Sequence, residues 1–433
     1  MDSIIHKRLA ALGVEIPEIL LPRMETDFSK WAVIACDQFT QNRDYWERVK
    51  NAAADSPTCL NLIFPEVYLE TAHEKNRKEE AKKQRIQDIR NSMRSYINNG
   101  VFSPSRRCCV YLERSTPRHP RRRGLVLALD LEQYDWNPQK RPLIRATEET
   151  IKDRLPPRME IRRGAPLELP HIILLIDDEK DTLIPSLGEL ARKNTPLYET
   201  SLMMGSGSVS GWALDSEEAG ILLADGLEAL AERARNLYGG AAAGECPFLF
   251  AVGDGNHSLA TAKAVWEEYK KDHAGEADLE NHPARRALVE VENLYDPGIA
   301  FEPIHRIIFG IDGKEILDSL SGLTDIQCSG EMRNRIIRIK SAGPDIATAA
   351  IQPLLDRIVK EQSLSIDYIH GEDDILNLVS HPQRQAVGLI LPPIQKDGLF
   401  KTVDQTGPLP RKSFSMGDAE EKRFYMECRK LFD

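Results

Sequence analysis

The stretch PFLFAVGDGNHSLATAKAVWEEYKK, residues 247–271, sets two periodicities back to back. Its first six residues are a nearly unbroken apolar run, the pattern of a strand buried on both faces. Beyond the loop, Leu259, Ala262, Trp266 and Tyr269 recur at spacings of three and four, which predicts an amphipathic helix. Between them lie Gly253, Asp254, Gly255, Asn256, His257 and Ser258. Free N–H groups at a helix start bind anions, and the helix dipole adds about 0.3–1 kcal/mol. Gly253 and Gly255 are expected to permit positive φ and close approach of a ligand to the backbone. Asp254 is a candidate to hold a metal ion, a hydroxyl or the imidazole. Asn256 and Ser258 are candidate helix caps, and His257 a candidate acid, base or phosphate donor. An ordinary turn plus cap would account for four of these six residues. It leaves His257 beside an acid without a reason. Thr261, one turn after His257, should face the same site, whereas Lys263 is read as a surface residue. The loop is not GxxxxGK[ST], and it lacks the third glycine of GxGxxG.

Outward from this junction, strands and helices are interspersed. Residues 1–41 read as irregular with short strand-like runs such as WAVIACDQFT. Helices are expected at 43–54, at 66–98 ending on NNG, at 147–155, over 216–240 ending in Gly-Gly, and at 346–361, with a last amphipathic helix at 417–432. RRCCVYLER and GLVLALDL predict a hairpin whose connection, STPRHPRRR, reads as an exposed basic tip. The run could otherwise meet phosphate or an acidic partner. Further strands are expected in LELPHIILLIDD, in a pair near 197–214 turning at MGSGS, and at 286–293, 303–309, 364–369 and 385–391. Long polar helices and hairpins break strict alternation, so the fold class is α+β (mixed α/β), with a mixed sheet and flanking helices. No linker marks a boundary, and the chain is read as one domain over 1–433 with room for two lobes.

The 433 residues carry a net charge of −10, with 41% hydrophobic and 29% charged residues. That composition suits a globular protein with a real core and argues against broad binding to nucleic acid or anionic membrane. No apolar run reaches the length of a membrane span, and the N-terminal segment does not read as a signal peptide. Seven cysteines are scattered without CxxC spacing, which fits a reducing cytoplasm better than a disulfide framework or zinc site. No GxSxG elbow is present.

Taken in order, WAVIACDQFT, IRATEETIKDRL, DGNHSLATAK, FEPIHRIIFG and LPRKSFSMG make the chain resemble the bacterial and archaeal family catalogued as domain of unknown function 1015, from about residue 14 to the C-terminus. The family implies no established activity. Its loop usually reads Asp-Gly-His-His-Arg, similar to the phosphate-cradling loops of ParB-like and sulfiredoxin-like proteins, which include a free-serine kinase. Asp254, Gly255 and His257 match. Asn256 stands where the family often has His, and Ser258 where it has Arg. Another cation would have to replace that bidentate phosphate contact.

Several residues are candidates. Arg145, Glu148 and Thr150 fit the family's Arg-x-x-Glu-x-Thr pattern, with Arg145 as a phosphate partner and Glu148 as base or metal ligand; a helix start capped by Thr147 is the plain alternative. His305 and Arg306 match Pro-x-His-Arg in an apolar strand, where alternation should turn only one of them inward. Lys412 and Ser413 lie in a loop, and Asp37 follows an apolar strand at the kind of end where open sheets bind ligands. The sequence therefore points to a cytoplasmic enzyme for a nucleotide such as ATP or ADP, or another small phosphorylated molecule, with Mg²⁺, and to phosphoryl transfer as its reaction. Asp254, His257 and Glu148 would be catalytic, with Asp254 also the candidate metal ligand. A non-catalytic nucleotide- or metabolite-binding regulator is the alternative. A ParB-like DNA-binding protein is disfavoured by charge and by the lack of a helix-turn-helix. Oligomeric state is not legible.

Overall fold

A computed structural model describes residues 3–40, 42–69, 75–238, 246–323, 326–341, 346–380, 385–393 and 395–432. The chain forms two compact units. Unit 1 comprises residues 1–146, 150–299 and 419–433; unit 2 comprises residues 147–149 and 300–418.

Unit 1 is built on a ten-stranded mixed sheet. Its strands are β1 (Val14–Glu15), β2 (Cys109–Ser115), β3 (Arg122–Asp130), β4 (Tyr134–Asp135), β5 (Ile144–Ala146), β6 (Ile173–Ile176), β7 (Tyr198–Ser201), β8 (Ser208–Leu214), β9 (Phe250–Asp254) and β10 (Arg286–Asn293). They run in the order β7-β8-β2-β3-β10-β6-β9-β5-β4, with β1 on β3. The hairpin β2–β3 and the pairs β7–β8 and β6–β9 are antiparallel, whereas β6–β10 and β5–β9 are parallel. Both faces are buried, which is why PFLFAV shows no alternation. One face packs Leu125, Leu127, Val289 and Val252 against helices α1 (Leu183–Ala191), α2 (Glu217–Tyr238) and α3 (Asn256–Asp272). The other sets Val110, Leu112, Val126 and Leu288 against Trp31, Trp46 and the buried side of the helix Lys75–Asn98.

Unit 2 holds a six-stranded sheet of β11 (Phe301–Phe309), β12 (Ile326–Glu331), β13 (Ile336–Ser341), β14 (Ser365–His370), β15 (Ala386–Ile390) and β16 (Phe414–Met416). Five run in the order β12-β13-β15-β11-β14, with β13 and β15 parallel and β16 on the start of β11. Helices α4 (Gly313–Leu320) and α5 (Ile346–Glu361) cover one face, and α6 (Glu372–Ser380) covers Ile307, Ile336 and Ile390 on the other.

Two expected helices fail. Residues 417–432 form a 3-10 turn at Ala419–Glu421 and two short strands. Of these, Phe424–Tyr425 pairs with Val33–Ile34 and Arg429–Lys430 with Leu167–Glu168. Charged and apolar residues here are buried together, so strand pairing and burial override helix propensity. The helix at 147–155 is instead a 3-10 turn at Lys152–Arg154 followed by a helix over Leu155–Arg162. Pro156 and Pro157 open that helix rather than stop it, because a first-turn residue needs no N–H partner. The N-terminal segment, read as irregular, contains the helix Ser3–Ala11. Of the helix expected over 66–98, Glu66–Tyr68 is a 3-10 turn and the helix is described from Lys75; residues 70–74 lie outside the described residues.

Candidate functional site

Asp254 ends β9, and the chain turns through Gly255 into α3. Gly255 has φ 84°, and a Cβ there would sit 3.1 Å from the Cα and 3.2 Å from Cγ1 of Ile172, so both conformation and space demand glycine. Gly253 stays in the strand and needs no positive φ. Neither Asn256 nor Ser258 caps the helix by its side chain. The Gly255 N–H instead donates to Asp254 Oδ1 at 2.8 Å, and the Ser258 and Leu259 N–H groups both donate to the Gly255 carbonyl. The N–H groups of Asn256 and His257 fall outside the helical ladder. Asn256 is buried, and its Oδ1 has no hydrogen-bond partner among the described residues.

The cation beside the loop is Lys422, a residue the sequence reading did not single out. Its Nζ lies 2.9 Å from Asp254 Oδ2. Burial pushes the Asp254 carboxyl up, but the Lys422 ammonium, with His171 and the Gly255 N–H, offsets this and holds it below the usual carboxylate range. His257 Nε2 accepts the Ile151 N–H at 3.2 Å, which leaves a neutral ring with its proton on Nδ1. Thr261 donates to the His257 carbonyl at 2.7 Å. Lys263 is drawn in rather than exposed, 2.7 Å from Glu267 and 3.7 Å from Glu132.

Ser258 opens a relay. Its Oγ is 2.7 Å from His171 Nε2, and His171 Nδ1 is 2.9 Å from the Tyr425 hydroxyl, which also accepts the Cys36 N–H at 3.3 Å. Burial, then the neighbouring Cys36 and Asp37, pushes the Tyr425 hydroxyl well above its ordinary range, so it stays protonated. Asp37 follows Cys36 and accepts from the Gln38 side chain at 3.0 Å, which places this candidate at the far end of the relay.

A buried charge cluster adjoins the loop on the same sheet. Ile173 pairs with Asp254 on one side and Glu290 on the other. Glu290 and Glu292 project from β10 toward Arg114 on β2 and Arg122 on β3. Gly124 leaves the space for Glu290, since a Cβ there would fall 2.2 Å from its Oε1. Arg122 Nε stands 2.8 Å from Glu292 Oε1. Arg423 bonds Glu290, Glu427 Oε2 at 2.6 Å and the Pro170 carbonyl at 3.0 Å. Arg114 donates to the carbonyls of Ser206, Glu420 and Lys422, and burial brings it down to about 9. Part of the basic run STPRHPRRR is therefore no exposed tip: Arg122 is buried here, and Arg123 meets Asp296 at 2.8 Å and Asp181 at 2.6 Å.

In the Glu290–Glu292 pair, burial and the Glu290 charge raise the Glu292 carboxyl well above its usual range despite Arg122, so a proton stays on it to higher pH, while Arg423 and Arg122 hold Glu290 down. An acid whose folded pKa is raised costs stability as pH climbs from its unfolded value near 4.3 to its folded value, at up to about 1.4 kcal/mol per pH unit. Glu292→Gln removes this dependence. Urea titrations at pH 5 and pH 8 should show the variant gaining at least about 1 kcal/mol on the parent between them. Parallel curves would exclude the bound proton.

In unit 2, Glu148 accepts the Ser413 N–H at 2.9 Å and lies close to the Phe414 N–H at 3.5 Å. Burial raises its carboxyl, opposed by Lys412, whose backbone is left-handed at φ 57°. Glu148, Lys412 and Ser413 are thus one local group that holds the loop before β16. His305 and Arg306 are both buried, because helices cover both faces of β11, so alternation does not expose either one. Arg306 donates to Gln352 Oε1 at 3.0 Å and lies over the Tyr368 ring at 5.2 Å; burial lowers it to about 10. His305 Nδ1 accepts the Leu391 N–H at 3.2 Å, and burial lowers the ring to about 4.

Arg145 sits on β5 with its guanidinium over Phe248 at 4.5 Å, bonded to the Pro142 and Cys246 carbonyls, toward the start of β9 rather than the loop at its end. Lys422, His171 and Tyr425 went unread because none stands in a motif. Two of them lie in a segment whose apolar spacing imitates a helix. The signal available was the run of charge, EEKR, directly before the apolar residues Phe424, Tyr425 and Met426.

Among the described residues no helix is long and apolar enough to cross a membrane, and no three His, Cys, Asp or Glu side chains are placed to hold a metal ion. Solved structures similar to this chain include a conserved hypothetical protein from Pyrococcus furiosus, 9% identical over 71% of this chain and 95% of that one, with a TM-score of 0.34. A free serine kinase in complex with ADP is 10% identical over 71% and 92%, at 0.37. SbnI with a C-terminal truncation, from Staphylococcus aureus, is 9% identical over 71% and 83%, at 0.32. Superpositions this partial carry no conclusion about ligand or reaction. No curated protein matches. A family model described as a protein of unknown function, DUF1015, matches residues 20–398, which takes in the Asp254–Ser258 loop and the strands on either side of it. The chain belongs to that family.

Proposed function

We propose that the Gly253–Ser258 loop of unit 1 binds the phosphate of a nucleotide such as ATP or ADP, or of another small phosphorylated molecule, and that the protein is an enzyme moving a phosphoryl group. One observation carries the reading: a nearly buried lysine, Lys422, stands 2.9 Å from Asp254 where a left-handed glycine opens a seventeen-residue helix. A cation and a helix N-terminus converging on one loop suit an anion. The Asp-Gly-x-His spelling, similar to ParB-like phosphate loops, supports it. In this reading Lys422 neutralises the phosphate, Asp254 fixes Lys422, and His257 ties the loop to the segment at Ile151. His171, in contact with Ser258 and backed by Tyr425, is the group placed to take and return a proton. A non-catalytic binding protein would use the same loop with no need of that relay.

A divalent cation does not fit Asp254 as arranged, since one oxygen accepts the Gly255 N–H and the other meets Lys422. No step is assigned to Mg²⁺.

The test is a thermal-shift screen of ATP, ADP, CTP, GTP and inorganic phosphate, with and without Mg²⁺. At a hundredfold excess over its dissociation constant a ligand adds about 2.7 kcal/mol to the folded state. At least one nucleotide should raise Tm, and Asp254→Ala and His257→Ala should abolish the rise. No shift with any of them would end the phosphate reading.

A further inference from the structure

We infer that unit 2 has its own binding site, for a small zwitterion bearing a carboxylate and an amine, the chemistry of a free amino acid, in the groove floored by His305. Helix α6 begins at Glu372 and leaves the end of its sheet face uncovered. A groove of about 390 Å³ remains there, between Arg338–Lys340 of β13 and the Ile390–Pro393 segment that leaves β15. That volume lies in the range of small-molecule sites. β13 and β15 are the parallel pair of this sheet, and the groove lies where β15 ends, the usual ligand position in open sheets.

The lining has a chemical pattern. His305 is 3% exposed, and its Nδ1 is taken by the Leu391 N–H, so the neutral ring presents its proton on Nε2. No hydrogen-bond partner for that N–H stands among the described residues, and the ring lines the groove, so a ligand there can accept from it. Arg338 is committed, with Glu331 at 3.0 Å and Glu372 at 2.7 Å. Lys340 and Glu302 also line the groove and have no ion-pair partner among the described residues. A carboxylate can accept from His305 Nε2 and Lys340, while an ammonium meets Glu302. Ile390, Pro392 and Pro393 line the groove beside them.

The experiment is calorimetric titration of the full chain with a panel of free amino acids. For the tightest binder, its amide and its decarboxylated amine are added. At least one amino acid should bind saturably, with both analogues weaker by about tenfold or more, because each lacks a charge-assisted contact. His305→Asn keeps an acceptor near the Leu391 N–H and removes the deep donor. It should cost about tenfold, as should Lys340→Met at an exposed position, whereas His305→Gln restores a donor near Nε2 and should stay within about threefold. Absence of binding, equal binding of an analogue, or binding unchanged in both His305→Asn and Lys340→Met would each overturn the inference. Lys422→Met in unit 1 should leave this binding intact, so the result stands apart from the phosphate reading.

Discussion

Arg423→Met should remove about 3–5 kcal/mol from the stability of unit 1, enough to unfold a domain of ordinary stability. Arg423 is 4% exposed, and its guanidinium holds two carboxylates of residues that are more deeply buried, Glu290 at 1% and Glu427 at 0%. Its loss strands both in a low-dielectric interior, and the Tyr198 hydroxyl bonded to Glu427 cannot neutralise them. Burial pulls the Arg423 guanidinium down, but the two carboxylates override it and hold it above its ordinary value, so the residue stays charged. All five tryptophans, Trp31, Trp46, Trp136, Trp212 and Trp266, belong to unit 1, so their fluorescence in urea follows this unit alone. Arg106→Met is the matched control. Arg106 meets Asp215 at 2.6 Å, but its side chain is 52% exposed, and such a surface pair is worth about 0–1 kcal/mol. Equal losses in the two variants would mean that the buried cluster is no more than a set of surface-like pairs.

That contrast also explains what could be read from the chain. The continuous apolar run PFLFAV gave away the strand at 250–254, and the NNG signal begins at the helix end, Asn98; the Gly-Gly signal at 239–240 lies outside the described residues. The junction at Asp254 was legible because its residues are local: a strand, a left-handed glycine and a helix follow one another within a few positions. Its partners were not. Lys422 and Tyr425 lie more than 160 positions away in sequence, and His171 more than 80 positions before. They meet the loop only because Phe424–Tyr425 pairs with Val33–Ile34 and β6 pairs with β9. Glu290 and Glu292 were visible as acids in an apolar strand, yet alternation alone reads VEVEN as a half-exposed edge. Only the burial of both faces turns it into a charged interior. For His305 and Arg306 alternation predicted one side chain outside, and the helices on both faces of β11 bury both.

Lys422→Met should lower affinity for whichever nucleotide gives the largest thermal shift by about a hundredfold, about 2.7 kcal/mol, while Lys422→Arg stays within about tenfold. Lys422 is 7% exposed and is the cation paired with Asp254, so its removal takes the countercharge from phosphate and carboxylate together. The second effect has its own signature. A carboxyl held below its ordinary value contributes stability above its unfolded pKa, near 3.9, and loses it as pH falls through the folded value. Without Lys422, burial dominates and the Asp254 carboxyl rises. Lys422→Met should therefore be destabilised at pH 7 and partly recover as pH falls toward 4. Adding Asp254→Asn removes the uncompensated charge, so the double variant should regain stability at pH 7 but not affinity. Recovery of both would make Lys422 a structural partner of Asp254 only. Loss of neither in Lys422→Met would remove the lysine from the site and, with it, the reason to seat a phosphate at this loop.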